Sequence, residues 1–109
     1  MAQHATSPHS WIADRLGGPQ QKFKEFASAV YARADTLDRK TKELIAVAAS
    51  SVGRCPHCTR SHMEAALEAG ASREQVAEAL TVLWVIGGSV QIVWDEEGFE
   101  EHLGAAARV

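Results

Sequence analysis

Two cysteines in 109 residues are too few for a disulfide framework, which excludes the small, stapled secreted class. An excess of positive charge is also missing. With 11 basic and 14 acidic residues the formal net charge is −3. No basic stripe exists to track phosphates, so nucleic acid is excluded as the main partner. No segment alternates apolar and polar residues over several positions, which leaves no candidate strand. Internal repeats and low-complexity tracts are absent as well. Met1 to Pro8 contains no basic stretch leading into an apolar one, so no signal peptide is expected. The longest apolar stretch, Val82 to Trp94, is interrupted by Gly87-Gly88-Ser89 and Gln91. It is expected to be too short and too broken to cross a bilayer. These absences point to a cytoplasmic protein with no membrane partner.

A hydrophobic share of 46% and a charged share of 23% are ordinary for one globular domain,. Residues 1–19 carry little periodicity and contain Ser7-Pro8 and Gly17-Gly18-Pro19. They read as a leader that packs on the body, anchored by Trp11 and Ile12. Residues 20–109 form the helical domain. Phe23, Phe26, Ala27, Val30, Tyr31 and Ala34 line one face of a first helix. Asp38 caps a second, whose apolar stripe is Leu44, Ile45, Ala48 and Val52, with Gly53 ending it. A third starts at the cysteines, where Pro56 suits the first helical position. It buries Met63, Ala66 and Leu67, and Gly70 closes it. Ser72-Arg73-Glu74-Gln75 reads as a capping box for a fourth helix. A fifth runs from about Glu96 to Ala106, its acidic start solvated. The fold is therefore all-α, with about five helices. From Val82 to Trp94 the fourth helix is apolar nearly all round. Such an element needs cover on several sides, so it is expected to form a subunit interface. Gly87-Gly88 either bends it or permits a close crossing.

Both cysteines sit within one turn, in Cys55-Pro56-His57-Cys58, with His62 one turn further on. In a reducing compartment such a pair is redox-active or metal-binding rather than structural. Cys55 falls at the N-cap and Cys58 in the first turn. The unpaired N–H groups and positive dipole end there favour thiolate over thiol. The i, i+3 spacing brings the sulfurs within reach of a disulfide. His62, at i+4 from Cys58, can exchange a proton with that thiol, and His57 adds a second titratable donor. Glu43 taken alone is one more acid beside Lys40 and Lys42 on a solvated face.

Glu43, the Cys55–Cys58 motif and His62 together resemble the signature of alkylhydroperoxidase AhpD-like proteins, within the carboxymuconolactone decarboxylase superfamily. The text around them, Leu37 to Ile45 and Ala65 to Ala71, is similar to that family too, and the likeness covers about residues 20–95. The resemblance implies an AhpD-like helical fold that assembles as homotrimers or homohexamers. It implies that Glu43 draws a proton from Cys58 through His62, and that Cys58 attacks a hydroperoxide. The sulfenic acid then condenses with Cys55, and a lipoyl-bearing or thioredoxin-like dithiol resets the pair. The catalytic set is thus Glu43, Cys55, Cys58, His62 and His57, with no cofactor. The decarboxylase members lack the cysteine pair, which argues against lactone decarboxylation. Two alternatives stand beside this one. Cys55, Cys58 and His62 could hold zinc, with His57 or His102 as fourth ligand, or the dithiol could sense oxidants without turnover.

Overall fold

The structure, a computed structural model, describes residues 10–104. It is all-α: six helices and, among the described residues, no strand. They are α1 (Ser10–Arg15), α2 (Gly17–Ala32), α3 (Arg39–Val52), α4 (Pro56–Glu68), α5 (Arg73–Val93) and α6 (Glu96–Leu103). Helix is thus present from Ser10, within the stretch read as a leader, and α2 begins at Gly17 rather than Gln20. Ser7-Pro8 and the expected helix end at Ala106 lie outside the described residues.

The helix starts follow local chemistry. The Asp38 carboxylate accepts the Thr41 N–H at 2.8 Å, and hydrogen bonding from the Thr41 side chain, then from this N–H, holds its pKa below the ordinary carboxylate value. Ser72 and Gln75 satisfy each other's backbone N–H at 3.0 Å on both sides of the capping box,. At α4 the cap is sulfur: Cys55 Sγ accepts the Cys58 N–H at 3.1 Å, with Pro56 in the first turn. Gly70 ends α4 at φ +100°, where a side chain would be strained,. Lys42 donates to the Val30 and Arg33 carbonyls. It thereby satisfies acceptors that α2 leaves open at its C-terminus and ties α2 to α3.

The core is small. Helices α3 and α4 form the central pair, α5 packs on α3, and Val47, Ala66, Ala71 and Val76 are buried between them. Leu44, Met63 and Leu80 close over this cluster. The buried line of α3 is Glu43, Ala46 and Val47, not the expected stripe through Ile45 and Val52, both of which are exposed. Helix α3 carries two apolar faces, and α4 takes the one beside the widest stripe. Leu67 is likewise exposed while Ala66 is fully buried. Phe23, Phe26 and Val30 of α2 also lie open.

Helix α5 runs unbroken through Gly87-Gly88, and a Cβ at either would meet nothing within 4 Å. Neither glycine is needed for a crossing inside this chain. The unbroken helix corrects the expectation of a stretch too short for a bilayer. By length and composition alone the stretch Arg73–Leu103, which is α5 followed by the Trp94-Asp95 turn and α6, meets that requirement, with a mean hydropathy of 1.7 in its most apolar window and 6% of that window buried. Trp84 is 79% exposed. The accessible surface is 8582 Å², against about 5,900 Å² for a compact chain of this mass. The radius of gyration is 19.3 Å, where about 13 Å is ordinary. This chain is open-shaped because α5 packs on α3 mainly through its first turns, around Val76 and Leu80, while most of Val82 to Val93 and much of the apolar face of α2 stay exposed.

Candidate active site at the α3–α4 pair

The largest fully buried side chains are Glu43 and Val47. One turn apart on α3, both face the central pair. An ionised carboxylate 1% exposed is costly unless its oxygens are taken,. Both are. Oε1 lies 2.6 Å from His62 Nδ1 on α4, and Oε2 accepts from Arg39 Nε at 2.6 Å. Among the described residues no buried side-chain polar atom is left without a partner. Glu43 is therefore a bridge between two helices rather than a solvated acid.

The pairing sets the histidine. An ionised carboxylate offers only lone pairs, so the proton it shares with His62 belongs on Nδ1. The remaining ring nitrogen, Nε2, is then the one with a free lone pair. Tyr31 of α2 stacks on this imidazole, with ring centroids 5.8 Å apart and planes inclined by 21°,. The Arg39 guanidinium lies 5.2 Å from the Tyr31 ring centroid,. Burial, and then the Glu43 carboxylate, push the Tyr31 phenol above the ordinary tyrosine value, against a pull from Arg39. Tyr31 thus stays neutral and acts as a wall.

Cys55 and Cys58 are joined as a disulfide across the first turn of α4, with Cα atoms 5.3 Å apart. Both are partly exposed, and Cys58 precedes His62 by one helical turn on α4. Thr59 Oγ1 donates to the Cys55 carbonyl at 2.9 Å, and the Cys55 N–H donates to Ser50. The second of these bonds holds the start of α4 against the end of α3. His57 is exposed and has no hydrogen-bond partner among the described residues. His102 sits on α6 against the Gly98 carbonyl. Among the described residues no group of three or more His, Cys, Asp or Glu side chains is placed to hold a metal ion. The zinc arrangement is therefore not gathered. His4 and His9, which carried no role, lie outside the described residues.

Of the site residues expected from sequence, the structure joins Glu43 to His62 and Cys55 to Cys58 and leaves His57 outside both contacts. Two members were missed. Arg39 carried a legible signal, because it precedes Glu43 by four residues on one helix face,. Tyr31 carried none: it read as an apolar face residue of α2, and only the packing of α2 beside α4 stacks it on His62.

The carboxymuconolactone decarboxylase family model matches residues 19–94. Among curated proteins, the chain is 42% identical over 60 residues to "Uncharacterized protein 4 in cox locus" of Paracoccus denitrificans, covering 55% of this chain and 53% of that one. It is 38% identical over 71 residues to the alkyl hydroperoxide reductase AhpD of Nocardia farcinica, covering 65% of this chain and 37% of that one. The chain thus spans about half, or less, of the length of these relatives. A crystal structure of a protein from Methanobacterium thermoautotrophicum superposes with a TM-score of 0.74 at 34% identity, covering 84% of this chain and 98% of that one.

Proposed function

Since this chain belongs to the carboxymuconolactone decarboxylase family, we propose that it is a thiol-dependent peroxidase and disulfide oxidoreductase acting on alkyl hydroperoxides. One observation carries the reading. The helix opened by the Cys55–Cys58 disulfide bears, one turn later, a histidine hydrogen-bonded at 2.6 Å to a buried carboxylate. The AhpD name of several relatives supports it.

In the reduced protein Glu43, paired with Arg39, holds the Nδ1 proton of His62. The free Nε2 takes the Cys58 thiol proton, directly or through a water. The α4 N-terminus stabilises the thiolate. Cys58 sulfur attacks one peroxide oxygen and the O–O bond breaks. Sulfur keeps that oxygen as sulfenic acid, while the other leaves as alkoxide and takes the imidazolium proton to depart as alcohol. Cys55 thiolate then attacks the Cys58 sulfur. The expelled hydroxide leaves as water, for which exposed His57 is the candidate proton donor, and the disulfide is formed. A dithiol, lipoyl-bearing or thioredoxin-like, returns two electrons.

The open surface supports an assembly. Val82, Trp84, Val85, Ile86 and Ile92 are exposed on α5, and the surface excess is of the size that obligate interfaces bury. We infer that further copies of this chain, as a homotrimer or homohexamer, cover α5 rather than lipid. The charged start of that helix, at Arg73, Glu74 and Glu78, suits a water-soluble assembly in the cytoplasm.

Cys58→Ser should abolish peroxide consumption. Cys55→Ser should permit a single turnover that leaves a trapped sulfenic acid, seen as a mass adduct with a sulfenate-specific reagent. Full steady-state activity in both variants overturns the mechanism, and oxidation of the wild-type pair without turnover identifies a sensor instead.

A further inference from the structure

None of the members of the core cluster lies on α2. The last turn of that helix nevertheless lays Tyr31 on the His62 imidazole, with ring centroids 5.8 Å apart and planes inclined by 21°. Core packing does not wedge the ring there, since a cleft of about 330 Å³, walled by Ala27, Ser28, Tyr31, Ala32 and Arg39, opens beside it. The grip is polar instead. Lys42 of α3 donates to the carbonyls of Val30 and Arg33, which flank Tyr31 in the chain. Two adjacent residues of α3 thus serve one imidazole. Glu43 bonds its Nδ1, and Lys42 holds the segment whose ring lies against it.

A carboxylate at Nδ1 does not orient an imidazole by itself. Oxygen accepts over a broad range of directions, and the torsion that turns an imidazole about its Cβ–Cγ bond has broad wells. His62 Nε2 makes no hydrogen bond among the described residues, so no polar contact restrains that side of the ring. A flat ring stacked on the imidazole supplies the missing restraint, because tilting either plane gives up contact area. The Tyr31 hydroxyl has no hydrogen-bond partner among the described residues. The ring, rather than the hydroxyl, is therefore the part of Tyr31 that the site uses.

We propose that Tyr31 is a positioning residue for the proton relay: gripped through α2 by Lys42, its ring fixes the plane of His62 and so aims Nε2 along α4 at Cys58. The role rests on the proton step proposed above and not on the peroxide step. In that proton step the Cys58 thiol gives its proton to Nε2, which leaves a thiolate and an imidazolium. A tilted imidazole takes the proton less readily and leaves more of Cys58 as thiol. Misplacement of a reacting group by about 1 Å is enough to cost a large factor in rate.

The test uses the reduced full-length protein carrying Cys55→Ser, in which Cys58 is the sole thiol. Iodoacetamide alkylates thiolate rather than thiol, so its rate with Cys58, followed by mass, reports the proton step with no peroxide present. Tyr31→Leu should slow alkylation about 10-fold, and Tyr31→Phe should restore the rate to within about twofold of the parent. In a His62→Ala background, where no imidazole is left to aim, Tyr31→Leu should change the rate by less than about twofold. A merely structural side chain would show no such dependence on His62. Lys42→Met leaves the tyrosine in place and removes only its grip. There the upfield shift that the Tyr31 ring imposes on the His62 ring protons, read by NMR, should shrink, and the alkylation rate should fall with it. Should Tyr31→Leu not fold, these paired readings of Lys42→Met decide alone. The proposal is overturned by a rate indifferent to Tyr31→Leu, a Tyr31→Phe variant as slow as Tyr31→Leu, or a Tyr31→Leu effect that persists without His62. A shift lost at an unchanged rate overturns it too, and a shift that survives Lys42→Met overturns the grip. Alkylation that responds as expected, with no oxidation of Cys58 by cumene hydroperoxide, sinks the peroxidase reading alone. Peroxide consumption with alkylation indifferent to Tyr31 sinks the positioning role alone.

Discussion

The α3–α4 pair and α5 treat their side chains in opposite ways. The pair buries an acid, Glu43, and satisfies both its oxygens, while α5 exposes Trp84, Ile86, Ile92 and their neighbours. In a self-sufficient globule these fates would be exchanged, since apolar area drives burial and charge resists it. The difference separates two kinds of determinant. Glu43 is held by specific partners on its own chain, within a hydrogen bond's reach. The α5 face has only non-directional apolar area to offer, and the chain has too little other surface to meet it. Burial at the pair is local and polar; burial at α5 waits for neighbours.

The largest expected effect lies at the pair. Glu43→Gln keeps the shape and an amide oxygen that can still accept from His62 Nδ1, but removes the negative charge that stabilises the imidazolium,. Peroxide reduction should fall about 10²- to 10⁴-fold with the helical fold retained, measured as steady-state rate beside a melting curve. Activity within twofold of wild type would reduce Glu43 to a structural bridge.

A matched pair of methyl-scale truncations sharpens the contrast. Val47→Ala empties a fully buried site and should cost about 2 kcal/mol, lowering the melting temperature by the same amount at every protein concentration. Val85→Ala, on the open face of α5, acts only through assembly, so its effect should grow or shrink with concentration. Wild-type light scattering at 11.8 kDa would break the comparison, because a lone chain would then tolerate its exposed helix.

The smallest effect is at the cap of α3. Thr41 lowers the Asp38 pKa in the folded state. A depressed folded pKa contributes stability above the unfolded carboxylate value, and that stability is lost as pH falls through the folded one. Asp38→Asn should therefore flatten the acid limb of the melting temperature against pH and leave it nearly unchanged near neutrality. An acid limb of the same slope in both proteins would place the sensitivity elsewhere.

Local devices were legible before any coordinates. Asp38, Pro56, Gly70 and the Ser72–Gln75 box act within four residues of themselves, so their meaning travels with the sequence. The redox pair was legible for the same reason: three residues of separation at a helix start are enough to bring two sulfurs together. The buried face of α3 was not. Its apolar residues describe more than one possible face, and the choice belonged to α4. The Gly87-Gly88 step misled in the other direction, since an isolated glycine pair weakens a helix but does not end one.

Sequence by itself determined the helices, their caps and the dithiol at the tip of α4, because hydrogen bonds and spacing within one or two turns decide those. Only the tertiary structure decided that Glu43 is buried, that Arg39 and His62 divide its oxygens, and that Tyr31 backs the imidazole. The contacts that His62 makes reach across helices, to Glu43 19 residues before it and to Tyr31 further back still on α2. A charge owes its fate to what surrounds it in space, and no short stretch of sequence states that.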